Sequence, residues 1–139
     1  MTKEPLLLDT HVWFRYQTST QRLRPDAEAA IAEASGRNAV FISIISVWEL
    51  AMLEQAHYVE LDGGIHRWIE QALSKPGIAL LPLSPEIAIE SVRLPSPMHK
   101  DPADRILVAS ARVDALTLVT SDKAILAFAN ATKLAHLRA

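Results

Sequence analysis

Four acidic residues occupy positions from which they could act together. Asp9 comes directly after a short apolar run, and Asp122 follows the predicted fourth strand. Glu49 and Asp104 each lie near the start of a helical pattern. Because functional groups in parallel α/β sheets gather at the carboxyl ends of the strands, we expect these carboxylates to converge on one rim. Four clustered carboxylates repel one another and raise one another's pKa unless a cation lies among them.

The chemistry that such a cluster favours is metal-assisted hydrolysis of a phosphodiester bond. Oxygen-only ligands suit Mg²⁺ or Mn²⁺ better than Zn²⁺. These cations can bridge carboxylates to phosphate oxygens, activate water and neutralise charge on a leaving oxygen. The chain has no cysteine, and its five histidines show no H-x-x-x-H or H-x-E spacing. We therefore expect no thiolate site and no side-chain nucleophile, and we interpret the histidines as structural or surface residues.

Each acid also has a structural interpretation. Asp9 and Asp122 could be helix N-caps, which is as good an explanation as metal binding when either is taken alone. Asp104 could simply oppose a helix dipole from the first turn. Glu49 is flanked by apolar residues, where a half-buried glutamate often pairs with an arginine. The joint placement of all four acids, rather than any single one, favours the metal site.

The hydrophobic pattern predicts the elements that would position these acids. Apolar runs without polar alternation predict strands buried on both faces. They cover residues 6–8, 39–42, 78–83 and 116–120, with a final edge strand at 133–136. Helical spacing, capping residues and N1 prolines predict helices between them, including 25–34, 47–55 and 84–92. This alternation predicts a three-layer α/β/α sandwich around a central parallel sheet of four to five strands.

The overall composition fits one globular domain over residues 1–139. Half of the residues are hydrophobic and 22% are charged, which is the balance of a chain that buries a core. No apolar run approaches the roughly 18 residues that span a bilayer, and the N-terminus lacks a signal-peptide pattern, so we expect a cytoplasmic protein without a membrane partner. The net charge of −2 argues against broad, non-specific duplex binding and requires any phosphate contact to be local.

The four acids lie in four short motifs that occur in order along the chain. They are LLLDTHV at 6–12, SIISVWEL at 43–50, HKDPADRILVA at 99–109 and LVTSD at 118–122. These motifs resemble those of the PIN-domain family, and within it the VapC-type toxins of bacterial and archaeal toxin–antitoxin pairs. The resemblance runs from residue 6 to about 128, which is nearly the whole chain.

The resemblance implies an endoribonuclease that uses Mg²⁺ or Mn²⁺ to cut RNA. It also implies a homodimer that is inhibited by a cognate antitoxin, which inserts a segment into the active-site groove. The register Asp-x-x-x-x-Ala favours Asp104 over Asp101 as the third ligand, with Asp101 as a cap or an outer acid. The fourth position of the family varies, so Thr120 or Ser121 could contribute a hydroxyl beside Asp122. One-metal and two-metal chemistry both stay open.

Three further residues could support the site. Thr10 could hydrogen-bond Asp9 or a metal-bound water, and its alternative role is a helix cap. Ser46 lies one helical turn before Glu49 and could orient it, unless it caps the helix instead. Arg105 could pair with an acid of the site or contact RNA phosphate, and a surface salt bridge is the simpler role.

Two other functions share part of this pattern. An aspartyl-phosphate phosphatase or a receiver-like domain also has an aspartate at the end of its first strand. The phosphatase pattern needs an acid two residues after Asp9, where this chain has His11, and the receiver pattern needs adjacent acids on that strand. A non-catalytic PIN-like module that binds RNA or protein is the second alternative. The presence of all four acids counts against a site that has decayed.

Overall fold

A computed structural model describes residues 4–19 and 21–139 of the chain. Strands and helices alternate through this part. They are β1 (Leu6–Leu8), α1 (Thr10–Thr18), α2 (Pro25–Gly36), β2 (Val40–Ser43), α3 (Ile44–Gln55), α4 (Ile65–Leu73), β3 (Ile78–Leu81), α5 (Pro85–Arg93), α6 (Pro102–Val113), β4 (Thr117–Thr120), α7 (Lys123–Thr132) and β5 (His136–Arg138). Among the described residues, none of the helices has the length and apolar character needed to cross a membrane.

The five strands form one parallel sheet in the order β3-β2-β1-β4-β5. The chain starts in the middle of the sheet, adds β2 and β3 on one side, and then returns to add β4 and β5 on the other. The direction of winding therefore reverses between β1 and β4. Open α/β sheets bind their ligands in the crevice at such a reversal. The predicted fold, a parallel sheet between two helical layers, is confirmed.

The central strand is buried on both faces, as its uninterrupted apolar sequence predicts. Leu6 and Leu8 belong to one hydrophobic core, together with Val12 and Trp13 of α1. Leu7 points to the opposite face and packs in a second core with residues of α6 and α7. Alternate side chains of a strand point to opposite faces, so three consecutive leucines anchor both helical layers. Asp9 is therefore attached to the most constrained strand of the sheet.

Several element boundaries differ from those predicted, by one to three residues. The helix α3 begins at Ile44 rather than at 47, because the Ser43 side chain accepts a hydrogen bond from the Ile45 amide at 3.1 Å and caps the helix. Glu49 consequently lies in the second turn of that helix. The strand β3 ends at Leu81, two residues earlier than predicted. The final strand covers His136–Arg138 instead of 133–136, since Lys133 ends α7 in a left-handed conformation with φ 59°.

Candidate active site

A cleft of about 780 Å³ opens at the carboxyl edge of the sheet, and the predicted acids line it. They come from four separate elements: the end of β1, the second turn of α3, the first turn of α6, and the end of β4. A fifth carboxylate from the start of α6 joins them. The acids of the described lining are Asp9, Glu49, Asp101, Asp104 and Asp122.

Asp9 caps a helix and faces the cleft at the same time. It is only 4% exposed, and its Oδ1 accepts a hydrogen bond from the Val12 amide at 2.9 Å, which caps α1. Its Oδ2 accepts a hydrogen bond from the Thr120 hydroxyl, which comes from the end of β4. Burial raises the pKa of the Asp9 carboxyl, and the hydrogen bonds from Thr120 and Val12 oppose that rise. The two interpretations of Asp9 are therefore compatible, because each uses a different part of the carboxylate.

Glu49 is held from the neighbouring helix by the hydroxyl of Thr10. Thr10 Oγ1 bonds Glu49 Oε1 and lies 2.8 Å from the buried hydroxyl of Ser46. Since a threonine hydroxyl carries one proton, it can donate to only one of these partners, and an ionised Glu49 is the better acceptor. Thr10 thus bonds Glu49 and not Asp9, which was one of the partners suggested for it. Ser46 is not the helix cap, and it reaches Glu49 through Thr10.

Asp104 lies near four other carboxylates that act on its own carboxyl. Partial burial, followed by the carboxylates of Asp101, Asp122, Glu49 and Asp9, raises the pKa of Asp104 to about 7. The pKa of Glu49 is also raised, first by burial and then by Asp101 and Asp9, against the hydrogen bond from Thr10. Asp9, Glu49, Asp101 and Asp122 therefore lie close enough to Asp104 to act on its carboxyl.

Asp101 has the capping role that the sequence left open for it. Its Oδ1 accepts a hydrogen bond from the Asp104 amide at 3.0 Å, so Asp101 is the N-cap of α6. Its side chain is exposed at the cleft margin, whereas that of Asp104 is partly buried. This arrangement favours Asp104 as the inner acid of the pair.

Asp122, like Asp101, is an exposed acid of the cluster. Its Oδ1 accepts a hydrogen bond from the Ile125 amide at 2.9 Å and caps α7. Its amide donates to the Thr120 hydroxyl at 3.0 Å. Thr120 therefore touches both Asp9 and Asp122, and it links the acids at the ends of the two central strands. The Ser121 hydroxyl accepts a hydrogen bond from Arg15 on α1 at 2.5 Å.

Arg105 stabilises the loop before α6 instead of pairing with an acid. Its guanidinium donates to the backbone oxygens of Ser91 at 2.8 Å, His99 at 3.0 Å and Met98 at 3.4 Å. The part of the chain that the structure describes contains no ion pair between Arg105 and a cleft carboxylate. Among the described residues, Arg105 therefore forms neither the suggested pair with a site acid nor the suggested surface salt bridge. Arg105 fixes the loop that carries His99.

His99 lies at the site and contacts Asp104, although its spacing in the sequence predicted only a structural or surface role. Its Nε2 lies 3.2 Å from Oδ2 of Asp104, and its Nδ1 accepts a hydrogen bond from the Asp101 amide at 3.3 Å. A ring nitrogen that accepts carries no proton, so the proton is on Nε2, which donates to Asp104. The signal in the sequence is the position of His99 two residues before the helix cap. That position becomes informative only once the loop is known to fold back on α6.

The donor set fits a hard divalent cation. Carboxylate oxygens of Asp104 and Asp122 lie within 4.8 Å of one another and of a ring nitrogen of His99, which contacts Asp104 and is not itself a ligand. Asp9 and Glu49 line the same cleft and act electrostatically on Asp104. Carboxylate oxygens are the ligands that Mg²⁺ and Mn²⁺ prefer, and a cation would relieve the repulsion that raises the pKa of Asp104. Asp104 and Asp122 would hold the ion, and Asp9 and Glu49 line the same cleft.

A parallel sheet with acids gathered at its winding reversal defines a PIN-like α/β protein. A sequence model of the PIN domain matches residues 6–131, and the chain belongs to that family. The chain is 32% identical over 118 residues to Ribonuclease VapC22 of Mycobacterium tuberculosis, covering 85% of this chain and 87% of that protein. The family assignment made from the four motifs is confirmed.

Solved structures share the fold at low sequence identity. VapBC2 from Rickettsia felis, bound to a DNA fragment from its promoter, matches with a TM-score of 0.69 and 16% identity, covering 96% of this chain and 97% of that one. FitAcB from Neisseria gonorrhoeae matches with a TM-score of 0.63 and 21% identity, covering 95% of this chain and 96% of that one. At these identities the likeness establishes only the fold, so the chemistry of the site is inferred from the residues of the cleft.

Proposed function

We propose that the chain is a metal-dependent endoribonuclease of the VapC type, which hydrolyses RNA phosphodiester bonds as the toxin of a toxin–antitoxin pair. The observation that carries this proposal is the convergence of Asp9, Glu49, Asp104 and Asp122 on one cleft at the reversal of the sheet. Membership of the PIN-domain family and the 32% identity to a ribonuclease support the same activity.

In this proposal the side chains of the cleft divide the work between them. Asp104 and Asp122 hold Mg²⁺ or Mn²⁺, and Asp9 and Glu49 complete its surroundings directly or through water. When bound, the cation supplies activation of water and stabilisation of charge on the leaving 3′-oxygen. Thr120 keeps Asp9 pointed into the cleft through its hydrogen bond to Oδ2.

The outer contacts keep the other acids oriented. Thr10 restricts the Glu49 carboxylate, and His99 restricts that of Asp104. Groups that already point at a bound ion lose less entropy when the ion and the substrate arrive. The cleft residues therefore form a preorganised site, whose substrate is an RNA strand laid across the carboxyl edge of the sheet.

The proposed protein partners are a cognate antitoxin and a second copy of the chain, in the cytoplasm. The VapBC and FitAcB structures that share the fold support an antitoxin partner. One face of α3 also exposes Ile44, Trp48 and Met52, which are 37%, 49% and 46% accessible. These residues recur every four positions, so they form an apolar stripe suited to a protein contact.

The test is cleavage of a labelled RNA mixture by the purified protein, with Mn²⁺ or Mg²⁺ and with a chelator. We expect cutting only with the cation, and a loss of at least about 100-fold in Asp9→Asn and Asp104→Asn. Asp114→Asn is the matched control, because Asp114 is exposed at the far end of α6. Metal-independent cutting, or undiminished cutting by folded Asp9→Asn, would overturn the proposal. Acid-stable phosphoryl labelling of Asp9 would favour the phosphatase alternative instead.

A further inference from the structure

We infer that Arg15, held by Ser121, forms a phosphate-binding subsite that grips the RNA backbone next to the phosphate that is cut. This inference rests on the proposed ribonuclease function and adds a substrate-binding residue to it. Arg15 lies on α1, outside the four acidic motifs, and its side chain reaches the wall of the cleft.

The charge of the cleft creates the need for such a residue. Its described lining contains five carboxylates and a single permanently charged cation, which is Arg15. A divalent cation offsets only part of that negative charge, and an RNA strand brings one further negative charge per phosphate. Because the overall charge of the protein is −2, no broad positive field compensates. Productive binding therefore depends on cations placed inside the cleft.

The surroundings of Arg15 leave its charge available for a ligand. Its Nη2 donates to the Ser121 hydroxyl at 2.5 Å, and its Nε is buried without a hydrogen-bond partner among residues 4–19 and 21–139. Within the same residues no carboxylate lies within 4.0 Å of the guanidinium. A partly buried guanidinium bound to one neutral hydroxyl is poorly satisfied, and an anion would complete its set of contacts.

Three other arginines already have partners outside the acids of the cleft. Arg112 pairs with Glu90 at 2.8 Å, and Arg24 pairs with Asp26 at 3.4 Å. Arg105 donates to backbone oxygens. Arg15 differs from them because its contact, Ser121, is itself a cleft residue adjacent to Asp122. The Ser121 hydroxyl binds Nη2, and Nε is buried, so the guanidinium donors that remain can face a phosphate.

The position of Arg15 selects the neighbouring phosphate over the one that is cut. In the proposed function, the phosphate that is cut lies at the cation, beside Asp9, Asp104 and Asp122. Arg15 reaches the cleft from α1 and contacts Ser121, the residue before Asp122, and its charge also acts on Asp9. The planar fork of a guanidinium matches two phosphate oxygens, whereas a lysine offers only a point charge. A subsite of this kind fixes the register of the strand against the cation.

The experiment compares Arg15→Gln and Arg15→Lys with Arg112→Gln, which removes one positive charge at the opposite end of α6 from Asp104. The substrate is a labelled oligoribonucleotide that the unchanged protein cuts once. For Arg15→Gln we expect kcat/KM to fall roughly 10- to 100-fold, mainly through KM. The slope of log kcat/KM against log salt concentration should become shallower by about 0.7, the value for one lost phosphate contact on a single strand. The kcat/KM of Arg15→Lys should lie between those of the unchanged protein and Arg15→Gln.

Neutralised substrates distinguish a direct contact from a structural effect. Single methylphosphonate linkages are placed one position to either side of the cut. For the unchanged protein one of them should slow cutting about as much as Arg15→Gln does, and the variant should be insensitive to that same linkage. Calorimetry with Mn²⁺ alone should show no loss of affinity in Arg15→Gln, since Arg15 is not a metal ligand and its positive charge acts on Asp9.

The outcomes separate this inference from the proposed function. If the unchanged protein cuts no RNA with Mn²⁺ or Mg²⁺, the function itself is wrong. If it cuts RNA and Arg15→Gln behaves like Arg112→Gln, the function stands and the subsite is wrong. A slower Arg15→Gln that keeps full sensitivity to both neutral linkages, or that loses Mn²⁺ affinity, also overturns the subsite, because it assigns Arg15 a structural role.

Discussion

The hydroxyl of Thr120 donates to Oδ2 of Asp9 and accepts a hydrogen bond from the Asp122 amide at 3.0 Å. One fully buried side chain thereby fixes the acids that follow the two central strands. The two residues are distant in sequence, but β1 and β4 are neighbours in the sheet. Thr120, which we expected at most to add a hydroxyl beside Asp122, orients Asp9 instead.

Thr120→Val should both destabilise the protein and weaken metal binding. Valine keeps the shape of threonine but removes the donor to a carboxylate that is only 4% exposed. A buried polar group left without its partner costs about 1–3 kcal/mol, so urea denaturation should show a loss of that order. Mn²⁺ affinity measured by calorimetry should fall as well. Thr120→Ser keeps the hydroxyl and should retain most of both properties, and an equal loss in Thr120→Ser would contradict this explanation.

Thr10 should act on the activity through Glu49. Thr10→Val removes the hydroxyl that bonds Oε1 of Glu49, while Thr10→Ser preserves it. Loss of a residue that orients a metal ligand typically costs 10- to 100-fold, and we expect a loss of about that size in Mn²⁺ affinity and in RNA cleavage. Ser46→Ala removes only the indirect contact and should cost less. A larger effect for Ser46→Ala than for Thr10→Val would contradict the proposal that Ser46 acts on Glu49 only through Thr10.

His99 should be required for metal affinity as a donor, not as a base. His99→Ala removes the Nε2–H that contacts Oδ2 of Asp104, so Mn²⁺ affinity should fall by roughly tenfold or more. His99→Gln offers a terminal amide donor and should restore part of that affinity. His66→Ala, an exposed histidine of α4, serves as the control and should bind Mn²⁺ normally. Equal binding by His99→Ala and the control would remove His99 from the site.

The sequence predicted those features that depend on neighbouring residues. Apolar runs located the strands, and the order of strands and helices determined a parallel sheet. Once the sheet was parallel, Asp9 and Asp122 had to lie at one edge, because Asp9 directly follows β1 and Asp122 comes two residues after the end of β4. The capping roles of Asp9 and Asp122 were also readable, since the N-cap signal is local.

Contacts between distant residues could not be predicted from the sequence. Thr10 bonds Glu49 across 39 residues, a pairing set by how α1 packs beside α3. The expectation that Thr10 bonds Asp9 assumed a neighbour in sequence. His99 and Arg105 meet because the proline-rich loop folds back on α6, and loops carry no periodic signal. The start of α3 was predicted late because Ser43 and Ser46 are equally good caps in sequence.

Without metal, the protein should become less stable as the pH rises from about 4 to 7. The pKa of Asp104 is raised from its ordinary value of 3.8 to about 7. In that range the folded state holds a proton that the unfolded chain has already released. The free energy of unfolding therefore falls with rising pH across this window and levels off above it. Burial raises the pKa of Asp9 and Glu49 in the same direction, so all three acids contribute to the trend.

Asp104→Asn tests the assignment, because asparagine cannot ionise. In a chelator, urea denaturation at pH 5, 6, 7 and 8 should show a shallower decline for Asp104→Asn and greater stability than the unchanged protein at pH 8. Asp114→Asn should keep the original slope, since Asp114 lies outside the cleft lining. Mn²⁺ should raise the stability of the unchanged protein more at pH 8 than at pH 6, as its ligands must be deprotonated. A stability that is flat or rises between pH 5 and 7 without metal would contradict the clustering of the acids around Asp104.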